Sequence, residues 1–95
     1  MEIRGLEKLP AHMRDGVERY VMRGIPGGSF MTALFENRLV QAFNRADDEN
    51  TAAMRAWASW LYNDAPLGCW GSPMAVSEWV AAGGLMGRDV KEEAE

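Results

Sequence analysis

Hydrophobic residues in this chain recur mostly at intervals of three and four, the spacing of helices with one apolar face. Met13, Val17, Tyr20 and Val21 mark a first helix, with Pro10 at its first helical position and Gly24 at its end. Proline is tolerated at a helix start because the N–H it lacks would have no partner there, and glycine accepts the left-handed conformation that closes a helix. Gly16 weakens this helix by about 1 kcal/mol relative to alanine, a cost that the close approach of another backbone would explain. A second helix is expected from Ser29, its N-cap, to about Ala46. Met31, Leu34, Phe35, Leu39, Ala42 and Phe43 form its broad apolar stripe, and Glu36, Asn37, Gln41 and Asn44 its polar face. Asp47, Asp48, Glu49 and Asn50 supply capping groups and negative charge for a third helix, whose apolar face is Ala53, Met54, Trp57, Ala58 and Leu61. Trp60 lies off that line, either rimming the core or facing a partner. Tyr62-Asn63-Asp64-Ala65-Pro66 ends the third helix, since Pro66 disfavours the helical conformation at Ala65. Ser72-Pro73 restarts the chain as cap and first helical residue. Val76, Trp79 and Val80 follow, Gly83-Gly84 stops the helix, and Leu85 and Met86 are expected to fold back onto the body.

No stretch alternates with period two long enough to make a sheet. The expected fold is all-α, a compact bundle of four main helices joined by short Gly/Pro-rich turns. Ninety-five residues fit a single domain, 1–95, with residues 1–8 as a loosely docked arm and 88–95 as a frayed acidic tail.

Charge and composition narrow the function classes. The net charge is −4, and it is uneven. Residues 1–45 carry seven Lys/Arg against five Asp/Glu, whereas residues 46–95 carry three against nine. A duplex-binding surface is more basic than this, so nucleic acid is not the expected partner. The acidic second half argues in the same way against Ser72–Val80 as the reading helix of a helix-turn-helix. Four Trp and seven Met are many for this length, and both residue types favour contact surfaces as well as cores, which suits a homo-oligomer or a protein partner. One cysteine, Cys69, excludes an internal disulfide framework. With neither a signal peptide nor a membrane-spanning apolar run, a soluble protein of a reducing cytoplasm is expected.

Two glycine-rich corners carry the candidate chemistry. Gly27-Gly28-Ser29 and Gly71-Ser72-Pro73 each precede a helix start, where free backbone N–H groups and the helix dipole favour an anion. Neither has P-loop spacing, and a simple interhelical turn explains both. Arg45, Asp47 and Asn50 fall at one helix–helix corner, and Tyr62-Asn63 closes the following helix. Together these groups either form a structural network or read a base or sugar, with Tyr62 or Trp70 as a stacking plate. The candidate ligand-binding set is therefore Gly27, Gly28, Ser29, Asn37, Arg45, Tyr62, Asn63, Trp70 and Ser72. Cys69 reads as a structural thiol more readily than as a nucleophile. His12 alone builds no metal site of the usual kind, and no cofactor is expected. No catalytic signature is present, so the chain is expected to bind rather than catalyse.

The stretch from Gly24 to Trp79 resembles a family of small proteins encoded by tailed bacteriophages and prophages. The resemblance lies in Ile25-Pro26-Gly27-Gly28-Ser29-Phe30, Asn37, Arg45-Ala46-Asp47 with Asn50, Leu61-Tyr62-Asn63, Ala65-Pro66, Cys69-Trp70-Gly71-Ser72 and Trp79. It implies an accessory role in the host bacterial cell. By analogy of context this is an anti-defence factor, which sequesters a nucleotide-type immune signal or blocks a host defence protein. The alternative is a homo-oligomeric protein–protein interaction module without a small ligand.

Overall fold

The computed structural model describes residues 3–87, and all regular structure among them is helical. Two short 3-10 turns, Leu6–Lys8 and Ala11–Met13, precede α1 (Arg14–Arg23). Then come α2 (Ser29–Phe35), α3 (Leu39–Arg45), α4 (Asp48–Ala52), α5 (Met54–Asn63) and α6 (Pro73–Ala82). The all-α expectation holds. Two segments that read as single helices are divided. The residues from 47 to 63 bend at Ala53 (φ −95°, ψ 8°) into α4 and α5.

The other division is sharper and has a visible cause. α2 stops at Glu36 because Asn37 takes a left-handed φ of 64°. The Asn37 N–H then donates to Leu34 O and the Arg38 N–H to Ala33 O, the paired bonds of a Schellman ending. Asparagine is the non-glycine residue that best tolerates this conformation. Asn37, expected on a polar helix face, is instead the residue that turns the chain out of α2 and into α3.

The core forms around Phe35. Its ring centroid lies 4.6 Å from that of Tyr20 on α1 and 6.2 Å from that of Trp60 on α5. Phe30 meets Trp57 edge-on at 5.6 Å. Trp57, Trp60 and Trp79 are all fully buried, each removing apolar area worth on the order of 5 kcal/mol. Trp60 therefore neither rims the core nor faces a partner. The residues preceding α1 cover it, and its Nε1–H donates to Arg4 O at 2.9 Å.

That contact also corrects the reading of a loose arm for residues 3–8, which are docked. Leu9 is fully buried, and Ile3 and Leu6 pack against the core. The buried carboxylate of Asp64 receives Lys8 Nζ at 2.8 Å and Arg4 Nε at 3.3 Å. Arg14 ties the start of α1 back to this segment, donating to Leu9 O and Glu7 O. Pro10 caps the 3-10 turn Ala11–Met13, so α1 begins one turn later than expected. Residues 1–2, and the tail expected at 88–95, lie outside the described residues.

At the far end of α1, Gly24 takes φ 70° and closes the helix as expected. It also meets Gly84 backbone to backbone. A Cβ at Gly24 would stand 2.8 Å from Gly84 N, and one at Gly84 only 2.6 Å from Gly24 N, so neither tolerates a side chain. Leu85 folds onto the core, while Met86 stays exposed.

Two substitutions test these local arguments. No backbone approaches Gly16; the nearest atoms to an added Cβ are Sδ and Cε of Met31, each at 3.7 Å, an ordinary contact. Gly16→Ala is expected to stabilise the fold by roughly 0.5–1 kcal/mol in urea unfolding. At Asn37, glycine is expected to match or exceed the natural residue, whereas Asn37→Ala should cost about 1 kcal/mol in the same measurement.

Candidate functional site

Breaking the chain at Asn37 sends α3 outward, and the consequence is an open apolar cleft between α3 and α5. Its volume is about 510 Å³, within the usual range of roughly 300–1,000 Å³ for binding pockets. Buried Leu34, Ala42 and Leu61 form the floor. Leu39 and Phe43 stand on one wall, Met54 and Ala58 on the other, and the half-buried indole of Trp70 adds to the lining. Asn37, Arg38, Arg55 and Tyr62 supply polar atoms, and no carboxylate lines the cleft.

α3 is apolar on more faces than the fold can cover. It buries only Ala42. Leu39 is 64% exposed, Val40 74% and Phe43 46%, and Tyr62 on α5 is 84% exposed. Leu39, Phe43 and Ala58 were expected in the core stripes. They are uncovered because α3 packs mainly on α2 and an open cleft separates its outer side from α5. Single exposed apolar residues are ordinary, but a contiguous cluster lining a concavity marks a contact surface.

The cleft gathers three of the nine candidate ligand-binding residues, Asn37, Tyr62 and Trp70. The others are dispersed. Gly27 and Gly28 lie at the entry to α2, and neither has a positive φ. At Gly27 the Met31 side chain fills the place of a Cβ, while the space beside Gly28 is open. Ser29 is not the N-cap. Gly28 holds that position with no side-chain cap bond, and Ser29 is the first helical residue. Ser72 does cap α6, its Oγ accepting from Ala75 N at 3.0 Å, so that helix start is occupied by the protein's own side chain. The turn before it is held by Gly71, whose φ of 128° requires glycine and whose N–H donates to Phe35 O at 2.8 Å. Asn63 Nδ2 donates to Ser59 O and Oγ. Arg45 ends α3 on the exposed surface. The two glycine corners therefore do not converge on one anion site.

Sequence reasoning missed the cleft itself. One signal was present: a stripe containing Leu39, Ala42 and Phe43 with Val40 beside it is wider than one packed face requires. Reading the segment as a single helix hid this, because a straight continuation of α2 would keep that stripe over the core.

Of the groups expected at the Asp47 corner, the structure joins Asp47 and Asn50, whereas Arg45, Tyr62 and Asn63 lie outside that network. Asp47 caps α4, Oδ1 accepting from Asn50 N at 2.7 Å. Asn50 is buried, and its Oδ1 accepts from Trp57 Nε1 at 3.0 Å. His12, from the turn before α1, reaches Asp47 Oδ2 at 3.0 Å through Nε2 and Glu49 Oε2 at 3.2 Å through Nδ1. Cys69 is fully buried, the placement expected of a structural thiol. Its carbonyl accepts from the Tyr20 hydroxyl at 2.7 Å. Burial first, and then electrostatic interaction with Cys69 and Glu36, push the Tyr20 phenol well above its ordinary value, so it remains a donor.

Comparison with known protein families, with curated protein sequences and with solved structures finds no match for this chain. Among the described residues, no group of three or more His, Cys, Asp or Glu side chains is placed to hold a metal ion. No helix among them is long and apolar enough to cross a membrane.

The Asp47 cap carries a pH dependence. The Asn50 backbone N–H, and after it the His12 side chain, hold the Asp47 carboxyl below its ordinary 3.8. A carboxyl lowered by folding stabilises the fold above its unfolded value, and that contribution is lost as pH falls through the folded value. Asp47→Asn keeps an acceptor but has no proton to gain. The natural protein should melt higher than this variant near neutral pH, and the two melting curves should draw together as pH drops below the ordinary carboxylate range.

Proposed function

We propose that this protein acts by binding another protein through the cleft between α3 and α5. One observation carries the reading: large apolar side chains, Leu39, Phe43 and Tyr62, are left uncovered around a concavity, with exposed Val40 beside them on α3, whereas Tyr20, Trp57, Trp60 and Trp79 are fully buried. The aromatic richness noted in the sequence goes mainly to the core, so the contact surface is made by α3 and by Tyr62 and Trp70. A protein segment is the occupant favoured over a nucleotide-type signal. A nucleotide needs several convergent donors for its phosphates, and the Gly27–Ser29 and Ser72 corners that would supply them lie outside the cleft. The resemblance of residues 24–79 to small phage proteins supports a host protein as the partner and an accessory, anti-defence role as the setting. Binding without catalysis suits a cleft lined almost wholly by carbon.

A ligand that binds only the folded state raises the melting midpoint. A synthetic helical peptide with Leu and Phe at positions i, i+3, i+4 and i+7 is expected to raise it, and Ala58→Trp, which fills the cleft from an exposed position, should abolish the shift. Cyclic and linear nucleotides at millimolar concentration should leave the midpoint unchanged. A nucleotide shift that Ala58→Trp removes would overturn the protein-binding reading.

A further inference from the structure

We infer that the cleft takes an amphipathic helix whose apolar stripe is flanked by acidic side chains, an inference that rests on the protein-binding reading above. The argument is one of charge. The chain as a whole is acidic, with a net charge of −4. The cleft is a local exception. Its charged lining residues are Arg38, at the N-cap of α3, and Arg55 on α5, both exposed, with no carboxylate among the lining residues. Arg38 shares part of its charge with Glu36, its Nε lying 3.0 Å from Glu36 Oε1. Among the described residues Arg55 has no ion-pair partner, so it carries the larger share of the selectivity. An apolar groove with cationic side chains at its edges is the complement of a helix that presents Leu or Phe at i, i+3, i+4 and i+7 beside Glu or Asp. Ala42 and Ala58 are small, which lets such a helix sit close between α3 and α5.

A second copy of this chain is the main competing occupant, and the same charges disfavour it. In a two-fold contact each cleft meets its own image. The cationic edge made by Arg38 and Arg55 would then stand on both sides of a drying apolar surface, with no carboxylate in the lining and Glu36 already engaged by Arg38. Like charges placed opposite one another across an interface are a strong bar to association. A heterologous partner bearing acid avoids this cost.

Two forms of the synthetic peptide, one with Glu flanking the Leu/Phe stripe and one with Lys in the same places, decide the matter on the intact chain. The Glu form is expected to bind about tenfold tighter, with the gap shrinking as salt is raised from roughly 50 to 500 mM. Arg55→Glu, an exposed change, should erase or reverse the preference while the melting midpoint of the free protein stays close to that of the natural chain. Equal binding of both peptides would overturn the charge inference and leave the cleft reading standing. If neither peptide binds, and Ala58→Trp behaves as the natural chain does, the cleft reading falls and this inference with it. A concentration-dependent dimer in light scattering that Phe43→Glu dissociates would make a second copy the occupant and overturn the acidic-helix assignment.

Discussion

Every fully buried large aromatic with a polar edge must find a partner for that edge, and this requirement organises the whole fold. Trp57 donates to Asn50 on α4, Trp60 to Arg4 O before α1, and Trp79 on α6 to Tyr20 O on α1. The Tyr20 hydroxyl in turn donates to Cys69 O in the turn before α6. Each of these bonds contributes only about 1 kcal/mol net, whereas an unpaired buried donor costs about 1–3 kcal/mol. Burial of the rings supplies far more energy than the bonds do. The rings therefore provide the driving force, and their N–H and O–H groups decide which segments stand next to which. Among the described residues, no buried side-chain nitrogen or oxygen lacks a partner.

This division of labour explains why the N-terminal residues are fixed although nothing in their spacing announces it. Trp60 lies on the side of α5 away from the apolar line and needs both a cover and an acceptor. The turn Leu6–Lys8 packs against α5, Arg4 O accepts, and the Asp64 carboxylate holds this segment down through Lys8 and Arg4. The same logic leaves α3 aside. It brings no aromatic N–H or O–H that must be satisfied inside, and Ala42 is the only side chain it buries. Once Asn37 has turned the chain, the rest of the fold makes little claim on α3, and its apolar side chains remain available.

The contact surface is thus a by-product of how α2 ends. Anion binding at helix starts is attractive in the sequence because capped beginnings leave N–H groups exposed. In the fold, Ser72 answers the donor at α6 with its own hydroxyl, and Gly28, the N-cap of α2, is not among the residues that line the cleft. Carbon surface edged by two arginines replaces the donor cluster as the dominant chemical feature. The function proposed for this small protein accordingly relies on shape and apolar contact, with charge selecting among partners that fit.

What could be read from the chain was local. Gly24 as a left-handed ending, Gly83-Gly84 as a stop, Ser72-Pro73 as a helix start, a cap within Asp47-Asp48-Glu49-Asn50 and the helical class itself all depend on residues within a few positions of one another. The break at Asn37 was local too, but Phe35, Leu39 and Phe43 keep helical spacing across it, so periodicity concealed it. Burial was a different kind of question. Whether Trp60 faces inward, or Phe43 outward, depends on which distant segment covers it, and only the packed chain supplies that segment. Period and capping are properties of neighbours along the backbone, whereas cover and cleft are properties of neighbours in space.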